Sequence, residues 1–345
     1  MNKGSKKTIL VTGGAGYIGS HAVLALTDAG RAVVVVDNLS TGRRAAVPDG
    51  VPFYQGEVAD DALVTRILAE HDCGAVMHFA GSIVVPESVS HPLDYYHNNV
   101  VASAQLLRTC VDSGIERFVF SSTAAVYDGD GGGDGGGGVP LAEDATQAPA
   151  NPYGRGKLMT EWMLRDIAAA TSLRYAVLRY FNVAGADQAG RSGQYSKVAT
   201  HLIKRACQTV LGALPHIDVF GDDYDTPDGT CVRDYIHVSD LARAHVAVLD
   251  HIDDTQQSVT MNCGYGHGFS VRDVLDVVDR AAAQMLGAAP MTRHQGPRRA
   301  GDPASLIADT TRIRQTLNWQ PKYDDLSVMA ATALAWEKQL LDGTA

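Results

Sequence analysis

Apolar positions along the first half of the chain follow two alternating rhythms. Short runs that are apolar at nearly every position, "TILVT", "AVVVVD", "AVMHFA", "RFVFSS" and "YAVLRY", are separated by longer stretches in which apolar residues recur every three or four positions. A continuous apolar run of strand length belongs in a parallel sheet, because both of its faces meet helices. The periodic stretches predict helices from about Tyr17, with Ile18, Ala22, Leu26 and Ala29 on one face and a stop at Gly30, and then over 61–70, 92–112 and 152–169. This alternation predicts an α/β fold, a doubly wound parallel (Rossmann) sheet.

Beyond Asn182 the rhythm breaks into shorter helices and loops, with a helix near 197–211, "VRDYIHV" as a strand and "SDLARAHVAVLDH" as a helix. The expected organisation is a doubly wound Rossmann domain over 1–181, rejoined by about 236–262. Residues 182–235 and 263–345 then form a smaller α/β substrate lobe over the carboxyl ends of the strands. With 345 residues of which 45% are apolar, the chain can bury a large core. A net charge of −10 without any Lys/Arg block argues against nucleic acid and anionic membrane as partners. The apolar stretch near the N-terminus is too short for a signal peptide, and no run approaches the length of a membrane span. Five cysteines with no CxxC pair read as reduced, buried thiols, so a cytoplasmic location is expected.

The turn after the first strand, "TGGAGYIGS", holds Gly14-x-Gly16-x-x-Gly19 with Gly13 beside it. Glycine there permits a tight turn and lets a pyrophosphate approach the backbone at a helix N-terminus. Asp37 closes the second strand, where a carboxylate can take the adenosine ribose hydroxyls and would repel a 2′-phosphate, which favours NAD over NADP. "NPYGRGK" then places Tyr153 and Lys157 one helical turn apart. An ammonium nearby and a cationic nicotinamide ring both favour phenolate, so the Tyr153 pKa is expected to be lowered toward the range of a useful base. "SST", Ser121 to Thr123, offers three hydroxyls at the end of the preceding strand to complete such a site.

Together TGxxGxxG, Asp37, "HFAG", "NNV", "SST" and YxxxK resemble the extended short-chain dehydrogenase/reductase family. "VVDNLSTG", "NPYGRGKLMTE", "LRYFNVAGA", "FGDDYDTPDGTCVRDYIHVSDLARAH" and "RRAGDPA" are similar to its UDP-sugar 4-epimerases, over nearly the whole chain. That resemblance implies an isomerase with tightly held NAD that interconverts UDP-glucose and UDP-galactose through a transient 4-keto sugar, and a homodimer. It makes Tyr153 the base for the 4-hydroxyl, Thr123 its hydrogen-bonding partner and Lys157 the cation that tunes it and holds the nicotinamide ribose. Cofactor contacts are implied at Gly13, Gly16, Tyr17, Ile18, Gly19, Asp37, Asn38, Glu57, Val58, Phe79, Ala80, Gly81, Asn98, Ser121, Tyr153, Lys157 and Tyr180. Substrate contacts are implied at Thr123, Asn182 and Phe220, at Arg233 and Arg299 for the phosphates, at Asp302 for the uridine ribose, and at Leu306 beside the sugar's 2-substituent. Leucine is smaller than the tyrosine of members that reject N-acetylhexosamines, so UDP-GlcNAc and UDP-GalNAc are expected as slower substrates. The chain departs from its relatives at Glu57, where an aspartate is usual, and at Ile83, where some have lysine.

Eight glycines fall among the ten residues from Gly129 to Gly138, but they lead into no helix and carry aspartates, so they read as a slack rim loop. "GDDYDTPDG" is out of register with an EF-hand loop, His21, His78 and His237 lack ligand spacing, and no metal is expected. Two rival functions remain. A nucleotide-sugar dehydratase would carry an acid just after Thr123, where this chain has Ala124 and Ala125, and a non-catalytic NAD sensor would have little use for YxxxK.

Overall fold

The computed structural model describes residues 7–127, 139–196, 200–299 and 302–344. The glycine-rich segment 129–138 therefore lies outside the described residues. Fourteen strands are present among those described: β1 (Thr8–Thr12), β2 (Val33–Asp37), β3 (Phe53–Gln55), β4 (Cys73–His78), β5 (Arg117–Thr123), β6 (Arg174–Tyr180), β7 (Asn182–Ala184), β8 (Ile217–Phe220), β9 (Val232–Arg233), β10 (Tyr235–His237), β11 (Val259–Cys263), β12 (Phe269–Ser270), β13 (Arg293–Gly296) and β14 (Ser305–Leu306). Seven form one parallel sheet in the order β3-β2-β1-β4-β5-β6-β11.

The continuous apolar runs divide their side chains between the two faces of this sheet, as the period of two along a strand requires. Ile9, Val11, Val33 and Val35 enter one core, while Leu10, Val34, Val36 and Val76 enter the other. The helices are α1 (Tyr17–Asp28), α2 (Asp61–Glu70), α3 (Val85–Ser90), α4 (Pro92–Tyr96), α5 (Ala102–Asp112), α6 (Pro152–Ala170), α7 (Leu202–Val210), α8 (Val238–Thr255), α9 (Val271–Leu286), α10 (Thr311–Thr316) and α11 (Leu326–Asp342). Val23 and Leu26 of α1 pack with Leu241 and Val248 of α8 on the first face. Ile67 of α2, Leu106 of α5 and Leu164 of α6 cover the second. The first core runs on without a break into α7, α9 and α11 through Cys207, Val278 and Leu334.

Three sequence expectations change. Helix α1 ends at Asp28 with Gly30 at φ +69°, which leaves Ala29 exposed at the cap instead of on the buried stripe. The stretch 92–112 is one helical path interrupted by a π-turn over His97–Val101. "VRDYIHV" is two strands and not one: β9 lies between β12 and β14, whereas β10 pairs with β7. The break falls at Asp234, whose carboxylate accepts the backbone N–H groups of Tyr265, Gly266 and Ala308. The remaining two-stranded sheet joins β8 and β13 in parallel. All five cysteines are free and buried, and no described helix is long and apolar enough to cross a membrane.

Candidate active site

β1 has β2 on one side and β4 on the other, so the crevice at their carboxyl ends is the switch point where doubly wound sheets bind nucleotides. The turn after β1 fits that role closely. A Cβ on Gly13 would sit 2.6 Å from the Ala80 nitrogen, and one on Gly19 would sit 2.1 Å from the Gly13 oxygen, so both positions demand glycine. Gly16 is the N-cap of α1 and provides no side-chain cap, which leaves the N–H groups of the first turn, at Tyr17 and Ile18, to an anion. Asp37 at the end of β2 is buried and accepts the N–H groups of Ala15 and Leu39 at 2.9 and 2.8 Å. These bonds fix the carboxylate beside the turn, where it could accept hydrogen bonds from a ribose diol. The residues present therefore fit a dinucleotide.

Other residues assigned to the cofactor line the same edge in different ways. Asn38 donates to both Glu57 oxygens, at 3.1 and 3.2 Å, which holds the longer glutamate beside the end of β2. Val58 is buried in the second core. Phe79 packs on the His245 ring at 4.8 Å, and the Tyr17 hydroxyl donates to the Gly185 oxygen at 2.6 Å. Asn98 donates to the Ser82 hydroxyl at 2.9 Å. Its neighbour Asn99, which sequence reasoning missed, clamps Ser82 through both backbone groups and so holds the turn at Gly81. The π-turn delivers these two asparagines side by side, and "NNV" was the visible signal for it.

Hydrogen bonds separate the three hydroxyls of β5. Ser121 donates to the Tyr180 hydroxyl at 3.0 Å, and Ser122 donates to the Glu161 carboxylate at 2.6 Å. Thr123 accepts the Ala125 N–H at 3.1 Å and lies beside Tyr153, where its side chain opposes the rise in the phenol's pKa. Tyr153 enters from the first turn of α6, started by Pro152 and capped by Asn151, whose oxygen accepts the Gly154 N–H at 2.9 Å. Lys157 follows one turn later, buried, with its Nζ donating to the Ser121 oxygen at 2.9 Å and lying 4.8 Å from the Phe120 ring centroid. Burial lowers its pKa to about 8, against an opposing pull from Glu161.

The expectation of a lowered Tyr153 pKa is corrected. Burial raises it, and the Thr123 hydrogen bond opposes that rise without overcoming it. The cause is burial, because the apolar surroundings penalise phenolate more than phenol. A cationic ring bound in the crevice would favour the phenolate.

Behind the strand end lies a buried polar network that no motif announced. Arg179 of β6 pairs with Glu161 of α6 at 2.6 and 3.0 Å and also donates to the Tyr127 hydroxyl and the Glu143 oxygen, both at 3.0 Å. Tyr127 in turn donates to Asn262 at 2.6 Å. An arginine inside the apolar strand "YAVLRY" was the available signal, because a buried guanidinium requires a partner.

The expected substrate residues gather on the small sheets. Arg233 of β9 pairs with Asp302 at 2.5 Å, and Arg299 lies 4.0 Å above the Phe220 ring of β8. The Asn182 side chain donates to the Asp234 oxygen at 3.4 Å. Leu306 of β14 stands in register with Arg233 and packs against the cluster of Ala124, Tyr127 and Leu158, next to the end of β5. Two cations, a carboxylate and an aromatic face thus lie within one lobe, each occupied with a partner that a ligand could replace.

A doubly wound sheet with an anion-binding turn, a ribose-facing carboxylate and a Tyr–Lys–Thr constellation defines an enzyme of nicotinamide-dependent alcohol–carbonyl chemistry. The chain belongs to the NAD dependent epimerase/dehydratase family, whose model matches residues 9–264. It is 55% identical over 332 residues to UDP-glucose 4-epimerase of Azospirillum brasilense, covering 96% of this chain and 92% of that protein. The crystal structure of UDP-glucose 4-epimerase from Brucella ovis in complex with NAD is 42% identical and superposes with a TM-score of 0.89, covering 95% of this chain and 98% of that one. The UDP-Glc/GlcNAc 4-epimerase of Campylobacter jejuni, also 42% identical, superposes at 0.82, covering 96% and 99%.

Proposed function

We propose that this chain is an NAD-dependent isomerase that interconverts UDP-glucose and UDP-galactose through a 4-keto sugar. The observation that carries the reading is the convergence of Tyr153, Thr123 and Lys157 at the carboxyl end of β5, beside the glycine turn. Bound NAD supplies the acceptor for the hydride of C4 and returns it. Tyr153 takes the proton of the 4-hydroxyl and gives it back, and Thr123 bridges the phenol and the 4-oxygen. Lys157 holds the β5 carbonyl and contributes positive charge beside the nicotinamide ribose. Arg233 and Arg299 exchange Asp302 and the Phe220 face for the diphosphate, which frees Asp302 for a ribose diol and Phe220 for the uracil. Residues 1–181 and 236–262 hold the cofactor in this reading, and 182–235 with 263–345 hold the UDP-sugar. Unpaired cysteines fit action in the cytoplasm.

Purified protein given UDP-galactose should form UDP-glucose without net accumulation of reduced cofactor. A 4-keto-6-deoxy product would make it a dehydratase, and no turnover would leave a cofactor-binding protein. Leu306, packed beside the strand end, supports a pocket that also admits an acetamido group. Leu306→Tyr should then lower kcat/KM on UDP-GlcNAc by about tenfold or more, a steric penalty of over 1 kcal/mol, with little change on UDP-glucose.

A further inference from the structure

The two-stranded sheet of β8 and β13 carries a group of side chains that the reaction does not use. His216 immediately precedes β8, Asp218 lies two residues on and therefore on the same face, and His294 of β13 stands opposite Asp218 in parallel register. The imidazoles of His216 and His294 stack with centroids 3.9 Å apart, and His216 Nε2 is 3.5 Å from an Asp218 oxygen. One ligand atom from each of the three residues lies within 4.8 Å of the other two. His216 and Asp218 are half-buried and His294 is exposed, so solvent reaches the group from one side.

We propose that His216, Asp218 and His294 form a binding site for a divalent transition metal of the zinc class. Two imidazoles and one carboxylate suit a borderline-soft ion, whereas magnesium and calcium want more oxygen ligands than one side chain provides. Donors about 2.0–2.2 Å from a tetrahedral ion are about 3.3 Å apart. The present spacing would close to that value by rotation of the half-buried and exposed side chains, while the paired strands hold the Asp218 and His294 Cα positions. The fourth position is left to water on the exposed side.

The ion clips together two segments that are far apart in the chain. It does so on the face that continues, two residues along each strand, to Phe220 and Gly296, which are paired in register. Metal would thus stiffen the strands that carry Phe220, without touching Tyr153, Thr123 or Lys157. The sequence gives little sign of the site, because its histidines come from separate segments and show no HxxxH spacing.

The test uses untagged full-length protein, stripped with EDTA and titrated with zinc chloride by calorimetry, alongside His294→Ala and Asp218→Asn. Wild type should bind one ion per chain with Kd on the order of 10⁻⁶ M or tighter, and each variant should bind at least about tenfold more weakly. Saturating zinc should raise the wild-type Tm by about 3 °C or more and leave the His294→Ala Tm unchanged. His294 is exposed and Asp218→Asn preserves volume, so both variants should fold and keep metal-free turnover. The chain has 12 histidines, so equal affinity and stoichiometry in wild type and His294→Ala would place the ion elsewhere and overturn the proposal. Absence of binding by wild type would overturn it equally.

Discussion

Burial by itself makes Tyr153 a poor base, because its apolar surroundings penalise phenolate more than phenol. The role proposed for it as base therefore depends on the positive charge that a bound cofactor would bring and on the Thr123 hydroxyl. Tyr153→Phe should retain NAD, as judged by the cofactor carried through purification, and lose on the order of 10²-fold or more in kcat. Thr123→Ser should keep most of the activity, since Ser121 and Ser122 are committed to Tyr180 and Glu161 and only a hydroxyl at position 123 is required. Lys157 gives a pH signature. Its native pKa is about 8 and the ordinary value is 10.5, so between those values the unfolded chain binds the proton that the native chain releases. Stability conferred at Lys157 is thus fully present above pH 10.5, falls as pH drops toward 8, and is flat below. Urea melts of NAD-free wild type and Lys157→Met across that window should diverge by about 3 kcal/mol as pH rises. A constant difference would mean that the amine is solvated.

At the scale of elements, the pairing of α6 with β6 through Glu161 and Arg179 links the helix that carries Tyr153 to the strand beside β5. Ser122 donates into the same carboxylate, so one buried ion pair fixes both sides of the site. Glu161→Ala leaves a guanidinium buried without its partner and should cost about 3–5 kcal/mol in chemical denaturation. Replacing both residues by apolar ones of similar volume should cost much less, and equal losses in the two variants would show that the pair matters only for its packing. The strands of the large sheet were legible because both their faces are apolar, which leaves a continuous signal in "AVVVVD" or "RFVFSS". The breaks were not legible. "VRDYIHV" reads as one strand until the three N–H groups that Asp234 accepts are seen, and these come from segments distant in the chain. The glycine turn, Asp37 and YxxxK declare themselves because their spacing is local, whereas Arg233 and Asp302 meet only in the fold and entered through resemblance alone.

At the scale of the molecule, one face of the sheet is covered by helices that merge into the substrate lobe, while the other ends in helices with uncovered apolar side chains. Val89 of α3, Leu93 of α4, Val101 of the π-turn and Trp162 of α6 are 63%, 79%, 46% and 48% exposed. Their helices adjoin one another, α3 and α4 packing together and both packing on α6. Apolar groups concentrated in this way on a chain of net charge −10 would be stabilised by being covered. We propose that a second copy covers it, forming a two-fold dimer through an isologous helix-on-helix contact. Leu93→Glu would bring two like charges together near such an axis, yet in a monomer that position faces water and tolerates a carboxylate. The variant should therefore shift from twice 36.6 kDa toward 36.6 kDa by light scattering, with the circular dichroism of the wild type. Its Tyr153, Lys157 and Thr123 all come from one chain, so UDP-galactose turnover per site should persist at low temperature while Tm falls with the lost contact. A wild type already at the monomer mass, or a Leu93→Glu variant that remains a dimer, would show that this face is not where the copies meet.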